Sequence, residues 1–136
     1  MISLDTNAVI SVVNFRPSSV RTRLEEALVR GEEVKVSSIV LFELRYGIAK
    51  SARREHNASR LADFMTGRIE PLAFDAADAE EAGEIRATLE QEGKPIGYYD
   101  MLIAAQARRR NALLVSANMR EFIRVPGLRV EDWTKV

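Results

Sequence analysis

The stretch Met1-Ile2-Ser3-Leu4-Asp5-Thr6-Asn7 decides the fold. A very short apolar run, Ile2–Leu4, reads as a strand and ends directly on a carboxylate. In an open α/β sheet, ligands bind just beyond the carboxyl ends of the strands. Asp5 therefore stands where such folds do their chemistry, with Thr6 beside it. A lone acid in this position also reads as a cap on the turn that follows the strand. Which reading holds depends on whether other polar groups recur in the same setting.

Outward from that first strand, short apolar runs alternate with helical patterns. Val20, Leu24, Ala27 and Leu28 repeat at helical spacing, and Gly31 ends that helix. Val34–Val36 is a second strand, and Ser37 or Ser38 caps a helix running to about Lys50. A further helix carries Leu61, Phe64 and Met65 and stops at Gly67. Residues 69–74 are extended, and Pro71 demotes them to an edge strand or a loop-like segment. Asp75 is an N-cap for a helix with Ala79, Ala82, Ile85 and Leu89, closed by Gly93. After the turn Lys94-Pro95-Ile96-Gly97, a helix begins near Tyr99 and ends in Arg108-Arg109-Arg110-Asn111. Residues 112–115 and 128–130 supply two more strands. Short strands alternating with helices predict a three-layer α/β/α fold, with a central, mainly parallel sheet flanked by helices.

Composition bounds the function. At 136 residues the chain fits one domain, 1–136, with a sizeable core. Its 46% hydrophobic and 29% charged residues are ordinary for a folded globular protein. There is no cysteine, and one histidine, His56, cannot build a zinc site alone. A metal would need oxygen ligands, which suits Mg²⁺ or Mn²⁺. Twenty basic and twenty acidic residues cancel, so overall charge does not point to nucleic acid. No apolar stretch is long enough to span a bilayer, and no secretion signal opens the chain. The expected location is the cytoplasm.

Three further polar residues share the setting of Asp5. Glu43 lies inside Ile39-Val40-Leu41-Phe42-Glu43-Leu44-Arg45-Tyr46-Gly47-Ile48, which is apolar nearly all round and so is expected to be covered on more than one side. A carboxylate there is costly unless paired or bound to a cation. Asp100 opens the equally apolar Asp100-Met101-Leu102-Ile103-Ala104-Ala105, and Asn118 follows the strand Leu113-Leu114-Val115 by three residues. In a parallel sheet all four positions fall at one edge. Each has a structural alternative: Asp100 as an N-cap, Glu43 paired with Arg45 or Arg86, Asn118 as a turn residue. Taken together, three acids in apolar settings call for a divalent cation to relieve their mutual repulsion.

These same stretches resemble the PIN-domain proteins, and among them the VapC-type toxins of bacterial toxin–antitoxin pairs. The likeness runs through Leu4-Asp5-Thr6-Asn7, Phe42-Glu43-Leu44-Arg45-Tyr46-Gly47, Gly83-Glu84-Ile85-Arg86 and Gly93-Lys94-Pro95-Ile96-Gly97. It continues through Leu114-Val115-Ser116-Ala117-Asn118-Met119-Arg120-Glu121-Phe122 and residues 125–133. Each motif is weak alone; the ordered set is specific. The resemblance implies a Mg²⁺- or Mn²⁺-dependent endoribonuclease with Asp5, Glu43 and Asp100 as metal ligands. Asn118 would complete the catalytic set directly or through water. Two departures stand out: Ser116-Ala117-Asn118 replaces a Thr-Asn-Asn-like run, and Tyr98-Tyr99 replaces smaller or polar residues. Both bear on substrate fit or metal strength.

No serine–histidine or cysteine–histidine nucleophile competes with this chemistry. Carboxylates that hold a divalent ion activate water for attack on a phosphodiester, and Thr6 and Ser116 are placed to orient a ligand or bound water. Arg120 and Arg124 follow the strand end that bears Asn118 and are candidates to hold RNA phosphates. Arg108-Arg109-Arg110 reads as a helix end complementing the macrodipole. The apolar helix 39–48, with Phe64 and Met65, leaves surplus apolar surface that marks an interface. The resemblance implies a homodimer, possible larger toxin–antitoxin assemblies, and a cognate VapB-type antitoxin whose tail lies near the site. A basic side chain of that antitoxin could fill the acidic pocket. Two other functions fit the same residues: a non-catalytic PIN-fold partner in a DNA-bound regulatory complex, and a PIN nuclease acting on DNA.

Overall fold

Five short strands build one sheet: β1 (Ile2–Leu4), β2 (Val34–Ser37), β3 (Ile69–Leu72), β4 (Leu113–Val115) and β5 (Arg129–Glu131). The computed structural model describes residues 1–135, so Val136, the last residue of the predicted domain, lies outside them. The sheet order is β3-β2-β1-β4-β5, and every pairing is parallel. The predicted parallel α/β architecture is borne out. β1 is central, in register with β2 through Ile2 opposite Val34 and with β4 through Leu4 opposite Val115. Strand side chains are buried on both faces, as a sheet covered by helices requires: Ile2, Leu4, Val34, Val36 and Leu114 are all at most 2% exposed. Pro71 sits in β3, an edge strand, where its missing N–H costs no ladder bond.

The direction in which successive strands are added reverses at β1. The strands step outward to β2 and β3, then return to β4 and β5 on the other side. Right-handed crossovers place the connections before and after that return on opposite faces. The first set is α1 (Thr6–Asn14), α2 (Ser18–Val29), α3 (Ser38–Lys50) and α4 (Arg54–Met65). The second is α5 (Ala76–Gln91), α6 (Tyr98–Arg109) and the single turn α7 (Met119–Phe122). The crevice at the reversal opens between the carboxyl ends of β1 and β4, which is where ligands bind in such sheets.

Local sequence explains most element ends. Ser37 caps α3 by accepting from the Ile39 N–H at 3.1 Å. Asp75 and Asp78 form a reciprocal capping box on α5, each carboxylate accepting a backbone N–H at 2.9 Å. Gly93 closes α5 with φ +69°, which a side-chain-bearing residue rarely adopts. Two helices were not anticipated. α1 is rich in β-branched Val9, Ile10, Val12 and Val13, which lowers helix propensity. Tertiary burial of Ala8, Val9 and Val12 on one face overrides that preference. α7 is too short for periodicity to register.

The helix around Glu43 departs from expectation. Only Val40 of α3 is fully buried, while Phe42 and Tyr46 are 52% and 60% exposed. α3 is thus covered on one side only, and its apolar surplus faces outward. Phe64 and Met65 of α4 are half-buried against the core.

The arginines that end α6 also behave differently from the macrodipole reading. Arg109 Nε donates to Asp78 Oδ1 at 2.7 Å, and Arg110 Nη2 reaches Asp78 Oδ2 at 3.2 Å. Both guanidinium groups also contact Asp75, and Arg108 pairs with Glu81 at 2.7 Å. These contacts lock the end of α6 to the start of α5. Asp78 is fully buried, and although burial itself opposes ionisation, its backbone and arginine hydrogen bonds hold its pKa at about 2.

Candidate active site

The end of β1 delivers Asp5 to the crevice. Its backbone N–H donates to the Val115 carbonyl at 3.1 Å, tying the ends of β1 and β4 together. Its side chain is 5% exposed and caps α1, accepting from the Ala8 N–H at 2.8 Å. The capping reading of Asp5 and a role in the site are therefore compatible. Burial raises its pKa, opposed by hydrogen bonds from the Ser116 hydroxyl and the Ala8 N–H, while the negative charges of Glu43 and Asp132 raise it further.

Glu43 comes in from α3. It pairs with neither Arg45 nor Arg86. The Thr6 hydroxyl donates to its Oε1 at 2.7 Å, so the residue after Asp5 fixes the second carboxylate. Arg86 is engaged by Glu90 at 3.0 Å on the exposed face of α5.

Asp100 enters from the first turn of α6, whose N-cap is Gly97 rather than Asp100. Asn118 meets it from the loop after β4: the amide Nδ2 donates to Asp100 Oδ2 at 3.2 Å and to Glu121 Oε2 at 2.7 Å. Asn118 is thus a neutral bridge between two acids. Its own N–H donates to Ser116 Oγ at 2.9 Å, so Ser116 supports both Asp5 and the Asn118 loop.

Glu121 belongs to this cluster and was not singled out from the sequence. The available signal was the Asn118-x-x-Glu121 spacing, which is that of a capping box and marks a helix start at α7. Glu121 also accepts from the Gly97 N–H at 3.1 Å, linking the loop after β4 to the start of α6. Asp132, close enough to raise Asp5, was missed as well.

The acids repel one another. Burial pushes the Asp100 pKa up to about 7, reinforced by Glu121, Glu43 and Asp5. Protonated Asp100 donates to Glu121, whose pKa is held below the usual range by that bond and by Asn118. Among the described residues, no three acids or histidines yet stand close enough to enclose an ion. The donors nevertheless fit a hard divalent cation in kind. They are all oxygens, and a positive charge would offset the burial and the mutual repulsion that keep Asp100 protonated.

That crowding has a measurable consequence in metal-free protein. A raised carboxyl pKa means the unfolded chain releases its proton near pH 4 while the folded state keeps it to about 7. Stability is then lost as pH rises through that window. Asp100→Asn should flatten this slope and raise stability at pH 8 by about 1–2 kcal/mol, allowing for solvent screening of a half-exposed group. Urea unfolding at pH 4, 6 and 8 in chelator checks it. Equal pH slopes in the two proteins would refute the assignment.

Arg124 Nη1 donates to the Pro95 carbonyl at 2.8 Å, and its charge helps keep Glu121 ionised. It stands beside the acids with its guanidinium anchored. Arg120 is exposed on α7. The structure therefore brings together Asp5, Thr6, Glu43, Asp100, Ser116 and Asn118, with Arg124 at the rim.

Comparison with known proteins identifies the family. The PIN domain model matches residues 2–128. The chain is 44% identical to the tRNA(fMet)-specific endonuclease VapC of Shigella flexneri over 131 residues, 96% of each protein. It is 43% identical to the ribonuclease VapC2 of Rickettsia felis over 132 residues, 97% of each. Its fold superposes with a TM-score of 0.91 on a chain of the VapBC2 complex of Rickettsia felis bound to a promoter DNA fragment, at 42% identity, covering 98% of this chain and 99% of that one. The DNA-bound VapBC of Salmonella typhimurium gives a TM-score of 0.88 at 40% identity, covering 98% and 99%. The chain belongs to the PIN-domain family, within its VapC ribonuclease branch.

Proposed function

We propose that this protein is a metal-dependent endoribonuclease toxin that cuts structured RNA, with transfer RNA as the substrate class, and is silenced by a cognate VapB-type antitoxin. The observation that carries the reading is the convergence of Asp5, Glu43, Asp100 and Glu121 on the crevice between β1 and β4, each held by a named donor. Asp5, Glu43 and Asp100 would hold Mg²⁺ or Mn²⁺, with Glu121 beside them. The ion, when bound, supplies charge stabilisation and activated water for phosphodiester hydrolysis.

The chain's own residues do the rest. Thr6 keeps Glu43 aimed at the crevice, and Ser116 does the same for Asp5. Asn118 ties Asp100 to Glu121 and supplies N–H groups without adding charge. Arg124 offers an anchored guanidinium to a backbone phosphate, and Arg120 an exposed one. The outward apolar side of α3, with Phe42 in contact with Tyr99 at 5.5 Å, supports a homodimer. An antitoxin inhibits by placing a basic side chain among the acids. With such an antitoxin the pair assembles on DNA as the two relatives' complexes do, and the toxin works in the cytoplasm.

Incubating the purified protein with total RNA and with single-stranded DNA, each with Mg²⁺, Mn²⁺ or EDTA, tests this. RNA cleavage with either metal, none with EDTA and none of DNA is expected. Cleavage of DNA alone would favour the DNA-nuclease reading, and cleavage of neither would favour a non-catalytic partner.

A further inference from the structure

Beside the acids lies a second concavity of about 240 Å³, between α5 and the start of α6, lined by Arg86, Leu89, Ile96, Tyr98 and Met101 among others. Its floor is apolar: Leu89 and Met101 are 1% and 8% exposed. Its rim is a cation–π contact, with the Arg86 guanidinium carbon 4.9 Å from the centroid of the Tyr98 ring. Tyr98 is 66% exposed, so most of the ring is open to a ligand. Glu90 accepts from the Arg86 Nε at 3.0 Å.

The concavity is continuous with the acid cluster through one residue. Gly97 lines it, donates its N–H to Glu121, and lies so close to Asp100 that a Cβ there would stand 3.6 Å from Asp100 Oδ2. Arg124, anchored on the Pro95 carbonyl, borders the same junction. A phosphodiester at the acids therefore has its neighbouring nucleotide within reach of an apolar slot with a cation–π rim. Unpaired bases are held in this way, stacked on aromatic rings and guanidinium planes.

We infer that the Arg86–Tyr98 concavity is a base-binding subsite that holds one unstacked nucleobase of the RNA next to the cut phosphate. Arg86 and Tyr98 are positioning residues: they select and orient the substrate and leave the acids' chemistry alone. The inference rests on the endoribonuclease reading.

The test uses a stem–loop RNA copied from the cut site mapped in total tRNA, with and without an abasic nucleotide on either side of the cut. Single-turnover cleavage is measured for wild type, Tyr98→Phe and Tyr98→Ala. Tyr98→Ala should raise the RNA concentration needed for half-maximal rate by roughly tenfold or more, with the maximal rate little changed, while Tyr98→Phe behaves as wild type. One abasic substitution should cost the wild type a similar factor and cost Tyr98→Ala almost nothing. Equal abasic penalties in both proteins overturn the subsite. So does a change in oligomeric state of Tyr98→Ala on light scattering, which would make this face an interface between copies. If the wild type cleaves RNA but the coupling is absent, only the subsite falls. If it cleaves no RNA with Mg²⁺ or Mn²⁺, the endoribonuclease reading falls and the subsite with it.

Discussion

Asp5→Asn should lower RNA cleavage by on the order of 10³-fold or more while the protein stays folded. The choice of variant matters because Asp5 has two jobs. Its Oδ1 caps α1 through the Ala8 N–H, and asparagine caps a helix about as well as aspartate. Asn therefore removes the charge and keeps the cap. Asp5→Ala removes both, and the lost cap costs about 1 kcal/mol, partly offset because a carboxylate that is 5% exposed no longer has to be kept buried. Both variants should be inactive and non-toxic when expressed without antitoxin, and both should still bind the antitoxin. Thermal melts and cleavage rates on the same preparations separate loss of chemistry from loss of fold. Wild-type cleavage by Asp5→Asn would remove Asp5 from the site.

The largest effect on stability is expected far from the acids. Asp78 is buried and accepts from the Asp75 N–H, Gln106 Nε2, Arg109 Nε and Arg110 Nη2. Asp78→Ala breaks the capping box on α5 and takes from Arg109 and Arg110 their buried carboxylate partner, leaving them the Asp75 carboxylate alone. Removing one partner of a buried pair costs about 3 kcal/mol, a large share of the total stability of a domain this size. The melting temperature should fall by roughly 10 °C. The pH dependence has the opposite sign to that of Asp100. The folded pKa of Asp78 is depressed to about 2, so its contribution is present above about pH 4 and is lost as pH falls toward 2. Cleavage at a temperature where the variant is folded should be near wild type. Unchanged acid unfolding in Asp78→Ala would contradict this account of the network.

Most of the architecture was legible because its signals are local. Strands of three or four apolar residues, serine and aspartate caps, and Gly31 and Gly93 at helix ends mark the elements without any tertiary information. Pro71 marked its segment as an edge strand or a loop for the same reason, and it is the edge strand β3. What escaped were elements whose stability comes from elsewhere. α1 is made of residues that prefer strands, and only burial against its neighbours makes it a helix. The outward side of α3 was read both as covered and as surplus interface surface, because hydrophobicity alone does not say whether a surface is covered within the chain or by a partner.

The site shows the same division. Asp5, Glu43, Asp100 and Asn118 were nameable because each polar residue interrupts or ends an apolar run. Their partners were not. Thr6 reaches Glu43 across 37 residues of sequence, and Asn118 reaches Asp100 across 18. Glu121 sits in a polar stretch where one more acid carries no contrast. The salt bridges of Arg109 and Arg110 likewise depend on how α5 meets α6, which the helical pattern of either segment does not specify.

The central claim is that these carboxylates form one divalent-metal site. Mn²⁺ binding followed by electron paramagnetic resonance tests it most directly, without requiring the natural RNA. Wild type should bind Mn²⁺, and both Asp5→Asn and Asp100→Asn should bind it roughly tenfold to a hundredfold more weakly. Asp78→Asn, measured where it is folded, should match wild type. Equal Mn²⁺ affinity in wild type and Asp5→Asn would contradict the account.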